Sequence, residues 1–204
     1  SALADGPLTT SVTATDLVGN TAVVAGPGLT LDTDTGGGGG GGVPLLLGTE
    51  GDDTLKDGGG PSRIEGLGGN DRLIGNDGSD EIFGGAGNDL LRGDNGSDSL
   101  DGGAGINTLK GGANSDSFIF TPEALDNAVD RLEDFSRSEG DSIDLTAIVS
   151  FFGWSLAEAQ SYVSFTQETD AVVLELSSPD VTQPLVELRW LTTTDVGIDD
   201  ITFV

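Results

Sequence analysis

Asp53, Asp71, Asp80, Asp89, Asp98 and Asp116 fall on one nine-residue grid, and Ser62 and Asn107 fill the two remaining places. A carboxylate that recurs at fixed spacing among glycines suits a hard cation. Calcium takes about six to eight oxygens, from carboxylates and from backbone carbonyls. Bent glycine-rich turns expose carbonyls, and the Asp supplies charge. The grid is part of a longer pattern. From Gly48 to Ile119 the chain runs through eight nine-residue units on the template G-G-x-G-x-D-x-U-x, where U is a large apolar residue. Self-similarity at this period is the signature of a calcium-binding parallel β-roll.

The other columns of the repeat say how the carboxylates are positioned. The fourth place holds Gly51, Gly60, Gly69, Gly78, Gly87, Gly96 and Gly105, then Asn114. A tight turn there needs φ > 0, which Gly adopts freely and Asn tolerates next best. The eighth place holds Leu55, Ile64, Leu73, Ile82, Leu91, Leu100, Leu109 and Phe118, with mostly polar neighbours at places seven and nine. That alternation predicts a three-residue strand with its middle side chain pointing inward. Two units make one coil, so strands fall alternately on two sheets. Eight units give about four coils, stacked at about 4.8 Å per strand into a roll roughly 19 Å long.

Calcium is then expected between units i and i+2. One edge pairs Asp53 with Asp71, Asp71 with Asp89, and Asp89 with Asn107. The other pairs Ser62 with Asp80, Asp80 with Asp98, and Asp98 with Asp116. Sites touching Ser62 or Asn107 lack a carboxylate and are expected to be weaker. A flexible Gly/Asp linker would have no reason to keep eight apolar residues in phase.

Composition bounds the function. The chain has 35 acidic and 8 basic residues, a formal net charge of −27. The repeat block holds 14 of the acids and 5 of the bases, so bound calcium would offset local self-repulsion. Such a charge argues against nucleic acid and against anionic membrane surfaces. There is no Cys, so disulfides cannot staple the fold. No apolar run is long enough to span a bilayer, and no membrane insertion is expected. The chain starts without Met or a leader, and an upstream extension is expected. With no His and no G-x-S-x-G, neither a Ser-His-Asp triad nor an H-E-x-x-H zinc site can be built within it. Acids abound, but none pairs in a convincing pocket, so no enzyme is predicted.

Four segments follow: 1–35, a glycine-rich linker at 36–47, the roll at 48–119, and a tail at 120–204. TTSVTATD and TAVVA read as strands, and Gly36–Gly42 is an unbroken glycine run. In the tail, Thr121 and Pro122 predict a short helix to about Val129. Ser155 and Glu158 predict a capping box and a helix through Tyr162. VSFTQ, AVVLELS, PLVELRWL and DITFV read as strands. Phe151, Phe152, Trp154, Phe165, Trp190 and Phe203 are expected to build a core that caps the open end of the roll. Asp130, Asp134, Asp141 and Asp144 gather where cap meets roll and are read first as solvated acids, with a further calcium site as the alternative.

The nonapeptide block resembles the RTX repeats of bacterial proteins exported by type I secretion. The tail resembles their C-terminal target region, in DSFIF at 116–120, VDRLEDF at 129–135, GDSIDLTAIV at 140–149 and DDITFV at 199–204. The segment SVTATDLVGNTAVVAGPGLTLDT is similar to the closing strands of immunoglobulin-like repeats in large surface adhesins. The resemblance implies an all-β architecture: a calcium β-roll of about four coils, a C-terminal α+β cap, and a fragment of an immunoglobulin-like domain. It implies calcium ligands at the sixth-place residues and at turn carbonyls, notably Gly51, Gly69, Gly78, Gly85, Gly87, Gly96, Gly103 and Gly105. The block would hold about four to six calcium ions. The second unit, with Asp57, Pro61 and Ser62, and the third, with Leu67 at place two, depart from the template and put the first coil in doubt. The partner implied is the type I ABC transporter complex, with folding by calcium outside the cell. The expected role is a folding and export module at the C-terminal end of a surface adhesin, whose ligand would be bound outside this chain. The alternatives are the export tail of a secreted RTX hydrolase or epimerase, and a surface-layer protein.

Overall fold

The computed structural model describes residues 43–204, with the backbone of three strands ahead of them. Strand β1 (Ser11–Thr15) pairs antiparallel with β2 (Thr21–Ala25), and β3 is Thr30–Thr33. The glycine run at 36–42, and the immunoglobulin-like reading of 1–35 beyond these strands, lie outside the described residues.

The repeat block follows as β4 (Leu45–Leu47), β5 (Thr54–Asp57), β6 (Arg63–Gly68), β7 (Arg72–Asp77), β8 (Glu81–Ala86), β9 (Leu90–Asn95), β10 (Ser99–Ala104), β11 (Thr108–Ala113) and β12 (Ser117–Ile119). Leu45–Leu47, expected in the linker, are thus a strand, and Leu46 is wholly buried. Strands β6 to β11 have six residues, not the expected three. They run from place seven through place three of the next unit. The small residues at those added places pair backbone to backbone with the coil 18 residues away, as Gly103 does with Gly85. Place two is itself left-handed: φ is 77° at Leu67, 69° at Asn76, 78° at Asp94 and 107° at Gly85. The sequence reading assigned positive φ to place four alone. There it holds from Gly60 to Asn114 but not at Gly51.

Even-numbered strands form one parallel sheet in the order β4-β6-β8-β10-β12, and odd-numbered ones a second, β3-β5-β7-β9-β11. The ladders do not stop at Ile119. β13 (Asp130–Leu132) adds to β11, and β14 (Ser142–Asp144) adds to β12. The remaining elements are α1 (Thr146–Phe152), α2 (Leu156–Tyr162), β15 (Val163–Gln167), β16 (Ala171–Ser177), β17 (Thr182–Arg189) and β18 (Ile201–Thr202). β17 continues the odd sheet from β13, and β18 continues the even sheet from β14. The tail therefore extends the roll as well as covering it. Inward side chains form two columns in register: Leu46, Ile64, Ile82, Leu100, Phe118 and Ile143 on one sheet, Leu55, Leu73, Leu91, Leu109, Leu132 and Leu188 on the other. All twelve are fully buried.

The tail departs from expectation at two helices. The predicted helix to Val129 is a single 3-10 turn, Pro122–Ala124. Asp126 and Asn127 end it: Asn127 takes φ 68°, and the Asp126 carboxylate accepts the amides of Ala128 and Gly105, tying the chain back to the roll. Helix α1 was not foreseen. Asp144 accepts the Thr146 amide at its start, and Gly153 in the left-handed region ends it. The capping box of Ser155 and Glu158 is present at α2. Of the expected core aromatics, Phe203 is buried, while Phe151 and Trp190 are 67% and 71% exposed. Phe152, Trp154 and Phe165 are partly buried against the core as expected, and Phe118, Phe120 and Phe135 are buried in it as well.

Candidate metal centres

Every sixth-place residue immediately precedes a strand and is buried. Two interactions use its two side-chain oxygens differently. The first holds the coils together. The backbone amide of each of the first six sixth-place residues donates to the side-chain oxygen of the sixth-place residue 18 positions on. Asp53 donates to Asp71 at 2.7 Å, Asp71 to Asp89 at 2.8 Å and Asp89 to Asn107 at 2.9 Å on one edge. On the other edge Ser62 donates to Asp80 at 2.7 Å, Asp80 to Asp98 at 2.8 Å and Asp98 to Asp116 at 2.9 Å. These are the pairs set by the two-units-per-coil arrangement. Nothing in the side-chain pattern marks that one oxygen of each carboxylate serves the neighbouring backbone.

The second oxygen has no such partner. Oδ2 of Asp71, Asp80, Asp89, Asp98 and Asp116 is buried and accepts no hydrogen bond among the described residues. Burial raises the pKa of these groups. Asp80, Asp89 and Asp98 are pushed up to about 6 and Asp116 to about 7, desolvation being the main cause and neighbouring carboxylates a further one. A buried anionic oxygen without a donor costs several kcal/mol unless a cation meets it.

Backbone oxygens converge on the same spot. A Cβ placed on Gly66, Gly84 or Gly93 would overlap both the Oδ2 of its own unit's Asp and the first-place carbonyl of the unit 18 residues on. Those carbonyls belong to Gly84, Gly102 and Gly111. The glycine at place one is needed because oxygens fill the space where a side chain would be. Sequence reasoning missed these first-place carbonyls, although the glycine column was in view. The turn carbonyls it did name also stack in columns. The oxygen of Gly69 faces the Cα of Gly87, that of Gly78 faces Gly96, that of Gly87 faces Gly105, and that of Gly85 faces Gly103. Gly51 lies beneath Gly69 in the same way.

The donor set fits calcium. Carboxylate and carbonyl oxygens are what this hard cation takes, with no nitrogen or sulfur. No group of three His, Cys, Asp or Glu side chains suited to a metal occurs among the described residues, so a site here would draw mainly on backbone carbonyls. Asp71 and Asp89 on one edge, and Asp80, Asp98 and Asp116 on the other, would hold the ion with the turn carbonyls beside them. The ion would neutralise the stranded oxygen and cross-link successive coils.

Three sixth-place residues differ. Asp53 Oδ2 is already satisfied by the amide and hydroxyl of Thr49, at 2.6 and 2.9 Å. Ser62 brings only a hydroxyl, which donates to Asp80. Asn107 uses its oxygen on the Asp89 amide and turns its NH2 toward the Gly103 carbonyl. None of the three offers a stranded anionic oxygen.

The ladder runs on into the tail. Asn107 donates its amide to Asp130 at 2.7 Å, and Asp116 donates to Asp141 at 2.9 Å. Asp134 accepts the amides of Gly111 and Gly112. Asp130 and Asp141 are therefore buried ladder members, not the solvated acids expected, and burial pushes Asp130 up to about 7. Their spacings of 23 and 25 residues break the period, so a search at nine could not find them. Asp144 does not join them, since it caps α1.

A family model for the RTX calcium-binding nonapeptide repeat matches residues 47–82, 74–109 and 92–119. Among solved structures, the chain is similar to the AlgE6R3 subunit of the Azotobacter vinelandii mannuronan C5-epimerase. Identity is 28%, coverage is 82% of this chain and 86% of that one, and the TM-score is 0.48. It is also similar to the extracellular lipase LipA of Serratia marcescens, at 16% identity and TM-score 0.36. That match covers 86% of this chain but only 42% of the lipase. No curated protein sequence matches the chain. Residues 47–119 thus match the RTX nonapeptide repeat, a structural repeat module of a type that in general binds calcium.

Proposed function

We propose that this chain is a calcium-dependent folding and type I secretion module at the C-terminal end of a bacterial surface adhesin. The observation that carries the reading is the set of five buried, unpartnered carboxylate oxygens. A roll built around them is poorly stable where calcium is scarce and becomes stable where calcium is plentiful. Metal supply thereby sets where the chain folds. It crosses the envelope unfolded and folds outside. The tail must be read before the metal arrives, so export information belongs in the tail rather than the roll. The immunoglobulin-like resemblance of the N-terminal stretch supports a tandem-repeat adhesin upstream. RTX-repeat proteins are typically secreted, which accords with the same reading.

The test is export of a passenger fused upstream in a host carrying a type I transporter. The whole chain should carry the passenger out, and a chain ending at Asp144 should leave it inside. Normal export from the shortened chain would overturn the assignment of the signal to 145–204. Attachment of cells bearing the parent protein should also be lost in chelator. Attachment indifferent to chelator would remove the adhesin reading.

A further inference from the structure

Among the chain's asparagines, Asn95 alone is followed by glycine. The pair is chemically distinct. A glycine amide has no side chain beside it to keep it from the preceding carboxamide, and glycine reaches more backbone angles than any other residue. In a free chain the Gly96 nitrogen therefore meets the Asn95 Cγ often. Nothing in the repeat demands Asn there, since place three holds Gly59, Gly68, Ala86, Ala104 and Ala113 in other units. Gly96, by contrast, is fixed. It takes φ 143° with its Cα against the Gly78 carbonyl, and an added Cβ would overlap that oxygen.

The folded roll keeps the two groups from meeting. Asn95 ends β9, in register with Asp77 on one side and Ala113 on the other. Both polar groups of the Asn95–Gly96 peptide are tied. The Asn95 carbonyl accepts the Gly78 amide at 2.8 Å, and the Gly96 amide donates to the Ala113 carbonyl at 3.2 Å. The carboxamide is held as well, donating to the Asp77 carboxylate at 2.7 Å. The side chain itself is exposed, in a groove shared with Asp77, Asp94 and Arg92. Water reaches the carboxamide, and what the fold withholds is the nucleophile.

We propose that Asn95–Gly96 is a self-modification site, closed in the folded roll and open in the unfolded chain. The Gly96 nitrogen forms a bond to the Asn95 Cγ, and the Cγ–Nδ2 bond breaks. The amide proton leaves with the side-chain nitrogen as ammonia, and a cyclic imide remains. Water opens the imide. Attack at the side-chain carbonyl gives aspartate, and attack at the main-chain carbonyl gives isoaspartate. No oxidant, metal or enzyme takes part. Isoaspartate carries an extra methylene in the backbone, so the chain beyond it falls out of register with Asp77 and Ala113. Either product sets a new carboxylate beside Asp77 and Asp94, in a groove whose Arg92 is already paired with Asp94. The inference rests on the calcium-dependent folding proposed above. A chain kept from calcium is marked at Asn95, and a chain folded by calcium is not. The mark retires from refolding those chains that stay unfolded too long.

The experiment incubates the full chain at mildly alkaline pH in calcium, in chelator and in urea. Peptide mass spectrometry follows the mass gained at Asn95 when NH2 becomes OH, and enzymatic methyl labelling counts isoaspartate. Loss of the amide should be at least about tenfold slower in calcium than in chelator or urea, the protection that even a weakly stable ladder gives. After long incubation in chelator, the fraction that refolds on adding calcium, read by circular dichroism, should fall in step with the modified fraction. Asn95→Ala, which installs the residue that place three holds at Ala86, Ala104 and Ala113, should take no mark and keep its refolding. Asp57, Asp77 and Asp101 also precede glycine but must expel hydroxide rather than ammonia, and any slow decline in Asn95→Ala measures their share. Equal rates in calcium and urea, faster loss at Asn70, Asn76 or Asn88, or an Asn95→Ala chain that loses refolding as fast as the parent would each overturn the inference. Circular dichroism unchanged between chelator and calcium would instead fail the calcium reading, and the comparison of urea with calcium then decides the site by itself.

Discussion

Between Arg63 and Ile119 each nine-residue unit wholly buries one large apolar side chain, with Ile74 largely buried besides, and five of the sixth-place residues in this stretch bury a carboxylate with a stranded oxygen. Between Val163 and Arg189 the antiparallel run β15-β16-β17 buries Val172, Leu174, Leu176, Leu185, Val186 and Leu188, and no carboxylate at all. The odd-numbered strands of the roll and the antiparallel run belong to one continuous sheet, joined where β13 pairs with β17. Their interiors nonetheless depend on different things. The antiparallel run rests on apolar burial, which needs no ligand. The roll sets a thin aliphatic column against a ladder of anionic groups. Its stability is expected to depend on a cation at the five units whose sixth-place Asp keeps a stranded oxygen.

The strongest test of that contrast is calcium withdrawal. Hydrogen exchange in chelator should show amides of 63–119 losing nearly all protection, while those of 171–177 and 182–189 keep a measurable part of theirs. Restoring calcium to about 0.1–1 mM, the range of extracellular modules, should return protection to the roll in one cooperative step. Equal loss in both stretches would mean that the antiparallel run depends on the roll. No loss in the roll would mean that its carboxylates are satisfied without metal.

A smaller effect, with a definite sign, is expected from pH. In the metal-free chain Asp80, Asp89 and Asp98 titrate near about 6 when folded and Asp116 near about 7, raised by burial. An Asp in the unfolded chain titrates near about 3.9. The folded state therefore holds more protons between these values, and stability falls as pH rises through that window. Acidifying from about pH 7.5 to about pH 5 in chelator should raise the melting temperature of the roll. With calcium present the trend should reverse, because protons then compete with the ion. A metal-free roll that loses stability on acidification would show that other groups dominate. The antiparallel run buries no carboxylate and should not share either trend.

The two stretches also differ in how much of them could be read from sequence. In the roll the period gave the coil, the sheet assignment, the inward column and the coil-to-coil pairing of Asp71 with Asp89 or Asp80 with Asp98, because one rule repeats eight times. It hid what is common to every unit but absent from the side-chain pattern: strands that continue through places one to three, the second left-handed position, and the first-place carbonyls. Tail strands such as AVVLELS were legible by composition. Their junction with the roll was not, since Asp130 and Asp141 enter the ladder through irregular spacings. Exposed Trp190 looked like core because an aromatic residue carries no mark of the backbone angle that turns it outward.

The smallest effect sharpens the roll's side of the comparison, where strain sits in the turns rather than in the packing. Place two requires positive φ, and Leu67 meets it at 77°, next in column to Gly85 at 107° and Gly103 at 79°. A left-handed non-glycine residue costs roughly 1–2 kcal/mol. Leu67 is 39% exposed, so truncating it loses little burial. Against the gain stands the extra chain entropy of glycine in the unfolded state, about 0.5–1 kcal/mol. Leu67→Gly should therefore stabilise the calcium-saturated roll by about 0.5–1 kcal/mol, read as a shift in the urea midpoint at unchanged slope. Asn76 occupies the same place at 69°, but Asn tolerates this conformation, so Asn76→Gly should give no gain. If Leu67→Gly instead weakens the roll as much as Asn76→Gly does, place two does not carry the strain assigned to it.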